Sequence, residues 1–312
     1  MRLGIDLGGT KIEAIVIGDL AEEIYRKRIP TPSNDYEKIL SAIAWLVFDC
    51  QSTAGGKIKT VGVGTPGAIS PATGLIKNSN SVCLIGKHLD RDLKQLINLP
   101  LKIANDANCF ALSEASSGAA KNASVVFGVI LGTGVGAGIV VEGKVIGGAN
   151  AIAGEWGHNP LPWPLESELP GPLCYCGKRG CIETFLSGPA LTTDYKALTG
   201  VEITSQEIVE AALRGTAINS TEAGNNAGEN SRQAKITLDR YCDRLAKSLA
   251  HVINILDPNV IVLGGGMSNV DYLYEVIPQL WTKYIFSDEV DTKLVKAQHG
   301  DSSGVRGAAC LF

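Results

Sequence analysis

The sequence lacks the features that most nucleic-acid-binding and secreted proteins need. Its formal net charge is -4 at pH 7, and no run of Lys and Arg is long enough to follow a phosphate backbone. We therefore expect no nucleic-acid partner. The first residues include a carboxylate, Asp6, where a signal peptide would need its apolar stretch. The sequence thus predicts a protein that stays in the cytoplasm.

The sequence also lacks an uninterrupted apolar run suited to a membrane span. Residues 125–141 carry no charge and are nearly long enough, but five of them are glycine, which weakens a helix. Two strand-like runs around a glycine turn fit this composition better. We predict a buried β-hairpin here and no association with a membrane.

Two glycine-containing hairpins divide the 312-residue chain into similar halves. Residues 4–10 align with residues 128–134 at a constant offset of 124, and strands at 60–64 and 260–263 both run into glycine-rich turns. Hairpins of this kind also resemble one another by composition alone. Because both matches occur in the same order, we predict an α/β protein built from two similar α/β domains.

The glycine turns are candidate phosphate-binding sites. Glycine lets backbone N–H groups approach phosphate oxygens, and a hydroxyl and a lysine follow in the first turn. A carboxylate at the end of the first strand could hold Mg²⁺ through water. The alternative is that these glycines only form hairpin turns and bind no phosphate. The residues predicted to bind the Mg-nucleotide are Asp6, Gly8, Gly9, Thr10, Lys11, Gly132, Thr133, Gly134, Gly264, Gly265 and Gly266.

One aspartate is the candidate catalytic base. Asp106 follows an apolar run at 101–104 and precedes a predicted helix, where an aspartate can simply cap the helix. Phosphoryl transfer to a hydroxyl, however, depends on positioning and needs a carboxylate near the attacking oxygen. Asp106 is the best-placed carboxylate for this role, and we predict it as the general base of a kinase.

Three cysteines within eight residues predict a metal site. Cys174, Cys176 and Cys181, with the upstream His158, supply four ligands suited to tetrahedral Zn²⁺. In a reducing compartment, clustered cysteines bind metal more often than they form disulfides. Such a closed site leaves no position for water, so we expect the zinc to be structural. It would fix His158 through one ring nitrogen and leave the other for a substrate hydroxyl.

Taken together, these motifs resemble those of the ROK family of sugar kinases and related repressors, over the whole chain. The resemblance is carried by residues 6–11, 64–67, 105–108, 131–134, 154–158, 174–183 and 264–266. It implies the actin-like ATPase (ribonuclease H-like) fold, with a cleft between two domains, and a homodimer. We expect one domain at residues 1–106, completed by a C-terminal helix at 301–312, and a larger one at 107–300 that carries the zinc loop.

The resemblance also implies the reaction and the residues that hold its substrate. In the family, phosphate passes from ATP to a hexose, usually at the 6-hydroxyl. The expected sugar-binding residues are Asn80, Asn105, Glu155, His158 and Glu183.

Three segments favour a particular hexose. Residues 154–163, 174–188 and 299–309 look most like those of bacterial fructokinases that also accept mannose, so we expect fructose, and also mannose, as substrate. Kinases of the same family that act on N-acetylglucosamine or glucose are the nearest alternative. Sugar-responsive repressors are a distant one, because their DNA-binding segment precedes the first glycine hairpin, which here begins at the third residue.

Overall fold

A computed structural model describes residues 1–32, 34–217 and 225–312. The strands are β1 (Arg2–Leu7), β2 (Lys11–Ile17), β3 (Glu23–Pro30), β4 (Thr60–Thr65), β5 (Ala68–Ile69), β6 (Ile76–Lys77), β7 (Leu101–Asn105), β8 (Val125–Leu131), β9 (Val135–Val141), β10 (Lys144–Val145), β11 (Val260–Gly264) and β12 (Lys293–Lys296). The helices are α1 (Tyr36–Thr53), α2 (Leu89–Leu96), α3 (Asp106–Ser117), α4 (Glu183–Leu186), α5 (Gly188–Thr199), α6 (Ser205–Ala217), α7 (Asn225–Leu256), α8 (Tyr272–Leu280) and α9 (Ser303–Ala309).

Two five-stranded sheets have the same strand order. The first runs β3-β2-β1-β4-β7 and the second β10-β9-β8-β11-β12, so each joins an antiparallel meander to two later strands. Strand β4 lies parallel to both β1 and β7, and β11 lies parallel to β12. Gly67 and Gly265, which follow the matching strands β4 and β11, both have φ of 80°. These correspondences confirm the predicted repeat of an α/β unit.

The first sheet is covered on both faces, which explains why β1 and β2 are apolar along nearly their whole length. Helix α1 packs on one face, and Ile15 and Ile17 meet Val305 of α9 on the other. A side chain at Gly4 would put its Cβ 2.0 Å from the Val305 carbonyl oxygen, and one at Gly62 would lie 1.7 Å from that of Ala308. Glycine at these two positions therefore lets α9 lie directly on the sheet.

The predicted hairpin at residues 125–141 is confirmed, because β8 and β9 flank the turn at 132–134. In the described ranges, none of the helices combines the length and the apolar character that a bilayer crossing requires.

The described residues fall into two compact units. Unit 1 comprises residues 1–128, 137–154 and 297–312, and unit 2 comprises residues 129–136 and 155–296. In unit 2 the 32-residue helix α7 packs against α5, α6 and α8. The division into domains at residue 106 stays a prediction.

Candidate active site

In unit 1, the first glycine turn joins β1 to β2 and presents its backbone to solvent. The Gly8 N–H donates to the Lys11 carbonyl at 3.0 Å, and Gly9 and Thr10 are exposed. A side chain at Gly8 would bring its Cβ to 2.9 Å from the same carbonyl oxygen. The turn thus needs glycine for its close approach, and its exposed backbone is open to a ligand.

Asp6, at the end of β1, lies half-buried in a negative environment. Its pKa is raised to about 6, mainly by burial and then by the charges of Asp106 and Glu13, while Lys11 opposes the shift. Glu13 is itself buried and ion-paired with arginines on β3. Because the ionised form of Asp6 is disfavoured, this corner of the protein is suited to a cation.

Asp106 is the first residue of α3 and does not precede the helix as expected, and Asn105 is the residue that caps it. The Asn105 side chain accepts a hydrogen bond from the Ala107 N–H at 2.9 Å, and Asp106 Oδ1 accepts from the same N–H at 2.8 Å. Asp106 is half-buried. The helix terminus therefore orients the Asp106 carboxylate. The role of Asp106 as general base stays a prediction.

Three predicted features of unit 1 lie close together beside this helix start. Asn105 Nδ2 donates to the Gly67 carbonyl at 3.2 Å, and a Cβ on Gly67 would lie 3.0 Å from Ser79. Asn80 is exposed, and the next residue, Ser81, lies near Gly9 of the first glycine turn. The structure thus brings the β4 turn, residues 79–81 and Asn105 together.

Unit 2 contains a cavity of about 1310 Å³ at the second glycine turn. Gly132, Thr133 and Gly266 line it, so two of the predicted nucleotide segments meet there. Gly265 has another role, since a Cβ on it would lie 2.5 Å from the Leu131 carbonyl oxygen. It permits β11 and β8 to pack closely, and among the described lining residues Gly134, Gly264 and Gly265 do not occur.

The other walls of the cavity were not predicted. Helix α5 begins at the glycine turn, where the Gly188 N–H donates to the Gly132 carbonyl at 2.8 Å, and Ser187 caps this helix. Residues 202–207 and Tyr272 complete the cavity. A serine cap followed by Gly188 and Pro189 was the available signal for this helix start, because proline favours the first helical turn.

Charge is unevenly distributed around the cavity. Its described lining includes four carboxylates, Glu202, Glu207, Glu210 and Asp271, and among those lining residues no Lys, Arg or His. The start of α5 and the start of α6 both line it. In the first turn of α5 the backbone N–H groups already have acceptors within the protein or, at Pro189, are absent. The positive ends of the two helix dipoles are therefore the features of this cavity that favour an anion.

The four predicted metal ligands lie together in unit 2. The donor atoms of His158, Cys174, Cys176 and Cys181 are all within 4.8 Å of one another. Cys176 Sγ lies 3.6 Å from Cys181 Sγ, and Cys174 Sγ lies 3.6 Å from His158 Nδ1. Tetrahedral zinc with Zn–S bonds of about 2.3 Å would place sulfur atoms roughly 3.8 Å apart. The cluster therefore fits a tetrahedral ion of this size.

The residues beside the metal cluster have further contacts. His158 Nε2 lies 2.9 Å from the Tyr175 hydroxyl, so the nitrogen expected to face a sugar already has a partner. Glu183 Oε2 accepts from the Val135 N–H at 2.9 Å, directly after the second glycine turn. Glu155 precedes a short 3-10 helix, Trp156–His158. Sugar contacts by Glu155, His158 and Glu183 stay predictions.

Comparison with known proteins identifies the family. The profile of the ROK family matches residues 2–312. An N-acetyl-D-glucosamine kinase of Vibrio atlanticus is 41% identical over 317 residues, which cover 100% of this chain and 99% of the relative. A ROK hexokinase of Thermus thermophilus superposes with a TM-score of 0.84 at 28% identity, covering 99% and 97% of the two chains. A ROK glucokinase of Streptomyces griseus, in complex with glucose and AMPPNP, superposes with a TM-score of 0.75 at 26% identity, covering 99% and 98%.

The fold and the site together define a sugar kinase with the actin-like ATPase fold. The chain belongs to the ROK family. The expectation of a fructokinase that also accepts mannose is wrong, because the full-length relative at 41% identity is an N-acetyl-D-glucosamine kinase, the nearest alternative. The segments that suggested fructose include the cysteine loop and the C-terminal helix, and their likeness to fructokinases did not identify the hexose. A homodimer stays a prediction.

Replacing Asp6 with Asn is expected to stabilise the nucleotide-free and metal-free protein. The native pKa of Asp6, about 6, exceeds the unfolded value of 3.8, so ionised Asp6 destabilises the native state above pH 6, by about 2 to 3 kcal/mol. This penalty disappears as the pH falls below the unfolded value. Urea unfolding from pH 4 to pH 7.5 should therefore show a gain for Asp6→Asn that shrinks towards low pH.

Asp19→Asn is the matched control, since it removes the same charge from a side chain that is 95% exposed. The electrostatic explanation would be contradicted if Asp6→Asn did not raise the free energy of unfolding at pH 7.5. It would also be contradicted if the increase at pH 4 were as large as that at pH 7.5.

Proposed function

We propose that this protein is an ATP-dependent N-acetyl-D-glucosamine kinase that transfers the γ-phosphate to the 6-hydroxyl of the sugar. The proposed substrate rests on the 41% identity, over the whole chain, with the N-acetyl-D-glucosamine kinase of Vibrio atlanticus. The reaction type is supported by a half-buried carboxylate at a helix start in unit 1 and by a cavity with two helix N-termini in unit 2.

Asp106 accepts the proton of the attacking hydroxyl in this mechanism. Its carboxylate is held by the Ala107 N–H and lies at the start of α3, next to the capping Asn105. Phosphoryl transfer demands little covalent chemistry from the protein, so an oriented base and an oriented hydroxyl supply much of the catalysis. The proposed sugar-binding residues are Asn80, Asn105, Glu155, His158 and Glu183.

Asp6 contributes to binding Mg²⁺ and not to proton transfer. Mg²⁺, when bound with ATP, supplies charge neutralisation at the transferring phosphate. Asp6 fits such a cation because its negative charge is poorly compensated in the protein, as its raised pKa indicates. It would hold the ion through water, as single carboxylates commonly do for Mg²⁺. The first glycine turn offers backbone N–H groups to the phosphates.

The cavity of unit 2 orients the nucleotide. Phosphate oxygens suit the end formed by Gly132, Thr133 and the start of α5, where the positive end of a helix dipole lies. Carboxylates such as Glu202 and Glu210 repel phosphate but accept hydrogen bonds from ribose hydroxyls and from a base amine. The nucleoside therefore lies towards residues 202–210. Binding of AMPPNP by the Streptomyces griseus relative supports a nucleotide of this kind.

The four-donor cluster binds Zn²⁺ in a structural role. The donor set is three thiolates and one imidazole, all close enough for a single tetrahedral ion, and two of the cysteines are buried. Zinc would fix the loop of residues 174–183 and, with it, the position of His158 and Glu183.

The substrate proposal is tested by measuring ADP release with N-acetylglucosamine, glucose, mannose and fructose. We expect the highest kcat/KM for N-acetylglucosamine, by about tenfold or more, because a site that hydrogen-bonds the acetamido group leaves polar groups unpaired with the other sugars. A higher kcat/KM for any of the other three would refute the substrate proposal and leave the kinase mechanism intact.

The base is tested with Asp106→Asn, which keeps the shape of the side chain. We expect kcat to fall about 10³-fold, with the sugar KM changed only slightly, because the base acts on the transition state. Asp90→Asn, which removes a carboxylate from a surface ion pair with Lys94, should leave kcat unchanged. A kcat near that of the wild type would exclude Asp106 as the base.

The metal is tested by elemental analysis of the purified protein and of Cys176→Ser. We expect bound zinc in the wild type, and loss of zinc together with a lower melting temperature in the variant, since metal binding stabilises the fold that holds it. Cys83→Ser, outside the cluster, should retain the zinc. A well-folded wild type without zinc would remove this part of the proposal.

A further inference from the structure

A group of charged side chains is buried between the proline-rich insert at residues 159–173 and helix α7 in unit 2. Glu168 of the insert accepts hydrogen bonds from Arg244 Nε at 2.6 Å and from Lys247 Nζ at 3.1 Å. It also accepts from the Leu165 N–H at 2.8 Å. Lys247 is 1% exposed and Glu168 is 9% exposed. One carboxylate of the insert thus holds two cations of α7 out of water.

Further contacts complete this group, which we call the insert clamp (Trp163, Glu168, Asp194, Arg244 and Lys247). Arg244 also pairs with Asp194 of α5 at 3.0 Å, and Lys247 donates to the Trp163 carbonyl at 3.2 Å. Burying charges is costly unless every one is paired and hydrogen-bonded. The clamp satisfies its charges by joining the insert to two helices, so the position of the insert is tightly specified.

The backbone of the insert shows the same constraint at Trp163. This residue has φ of 45°, in the left-handed region that a bulky side chain rarely adopts. Its ring stacks on that of Tyr284, with centroids 5.4 Å apart, while its carbonyl binds Lys247. A disfavoured backbone conformation persists only where its surroundings impose it. The clamp therefore holds the insert in one conformation.

The other end of the insert is hydrogen-bonded to the metal loop. The Gly180 N–H donates to the Pro172 carbonyl, and the Leu161 N–H donates to the Gly180 carbonyl, both at 2.9 Å. Arg179 donates to the Gly171 carbonyl at 3.2 Å. A Cβ on Gly171 would lie 2.5 Å from Gly180, so the two backbones are in direct contact. A shift of the insert would therefore move the residues between Cys176 and Cys181.

The metal loop, residues 174–183, contacts the segment after the second glycine turn through Glu183. Cys174 Sγ lies 3.9 Å from Glu183 Oε1, and Glu183 Oε2 accepts from the Val135 N–H. A continuous series of contacts thus leads from α7 through the insert and the metal loop to the glycine turn, all within unit 2.

We propose that Glu168 is a positioning residue for the metal site: by fixing the insert to α7, it sets the spacing of the four donor atoms at His158, Cys174, Cys176 and Cys181. This inference rests on the proposed zinc site. A purely stabilising ion pair would affect the free energy of unfolding and leave the zinc affinity of the folded protein unchanged. The two roles therefore differ in a measurable way.

The test measures zinc affinity by competition with a chelator of known affinity, and stability by urea unfolding, in Glu168→Gln and in the double variant Glu168→Gln/Lys247→Met. We expect Glu168→Gln to weaken zinc binding about tenfold or more, the range seen for residues that support metal ligands. It also lowers stability, because Lys247 is left buried with less compensation.

The double variant separates position from stability. Removing the Lys247 charge is expected to restore part of the lost stability. Zinc affinity is expected to stay low, because the ion pairs between Glu168 and helix α7 are still missing. The double variant also carries the test if Glu168→Gln does not fold. Asp239→Asn, which breaks an exposed pair with Lys235 on the same helix, should bind zinc like the wild type.

Zinc affinity within twofold of the wild type in either folded Glu168 variant would overturn the proposal. A wild-type protein that binds no zinc would instead refute the proposed metal site itself. Recovery of zinc affinity in parallel with stability in the double variant would assign Glu168 a purely structural role and also overturn the proposal.

Discussion

The burial of Asp6 beside Asp106 is the constraint on which the candidate site of unit 1 depends. Two half-buried carboxylates repel each other, and a fold would avoid this arrangement unless it had a use. Their positions come from the ends of β1 and β7, which are separated in the sheet only by β4. Parallel strands that end at the same edge of a sheet bring such side chains together, which is also where α/β proteins bind ligands.

The packing of α9 supports that arrangement from the other face of the sheet. Gly4 and Gly62 let α9 rest on the strands, and a Cβ on Gly304 of α9 would lie 3.3 Å from the Asp6 carboxylate. The helix therefore excludes water from one side of Asp6, and this burial is the largest contribution to its raised pKa. The same close contact that stabilises the sheet makes Asp6 unfavourable without a cation, an example of stability given up at a functional site.

Unit 2 depends on polar contacts of a different kind. Its cysteine loop consists of short, irregular segments, and a buried ion network holds the insert that contacts this loop. The insert clamp lies on α7, the longest described helix, and the metal loop borders the glycine turn through Glu183. Residues far apart in the sequence thus lie together within unit 2.

The sequence by itself determined the repeated hairpins, a helix beside Asp106 and the grouping of four candidate metal donors, because each depends on local spacing: apolar runs around glycine turns, a polar helix start, and cysteines a few residues apart. It did not determine the hexose, since likeness of short segments to one subgroup does not report every contact to the sugar. Only the tertiary structure decided that Asp6 lies near Asp106, that residues 202–207 share a cavity with Gly132, and that Glu168 meets Lys247. Each of these pairs is separated by many residues, and such contacts arise from how strands and helices pack, which local patterns do not record.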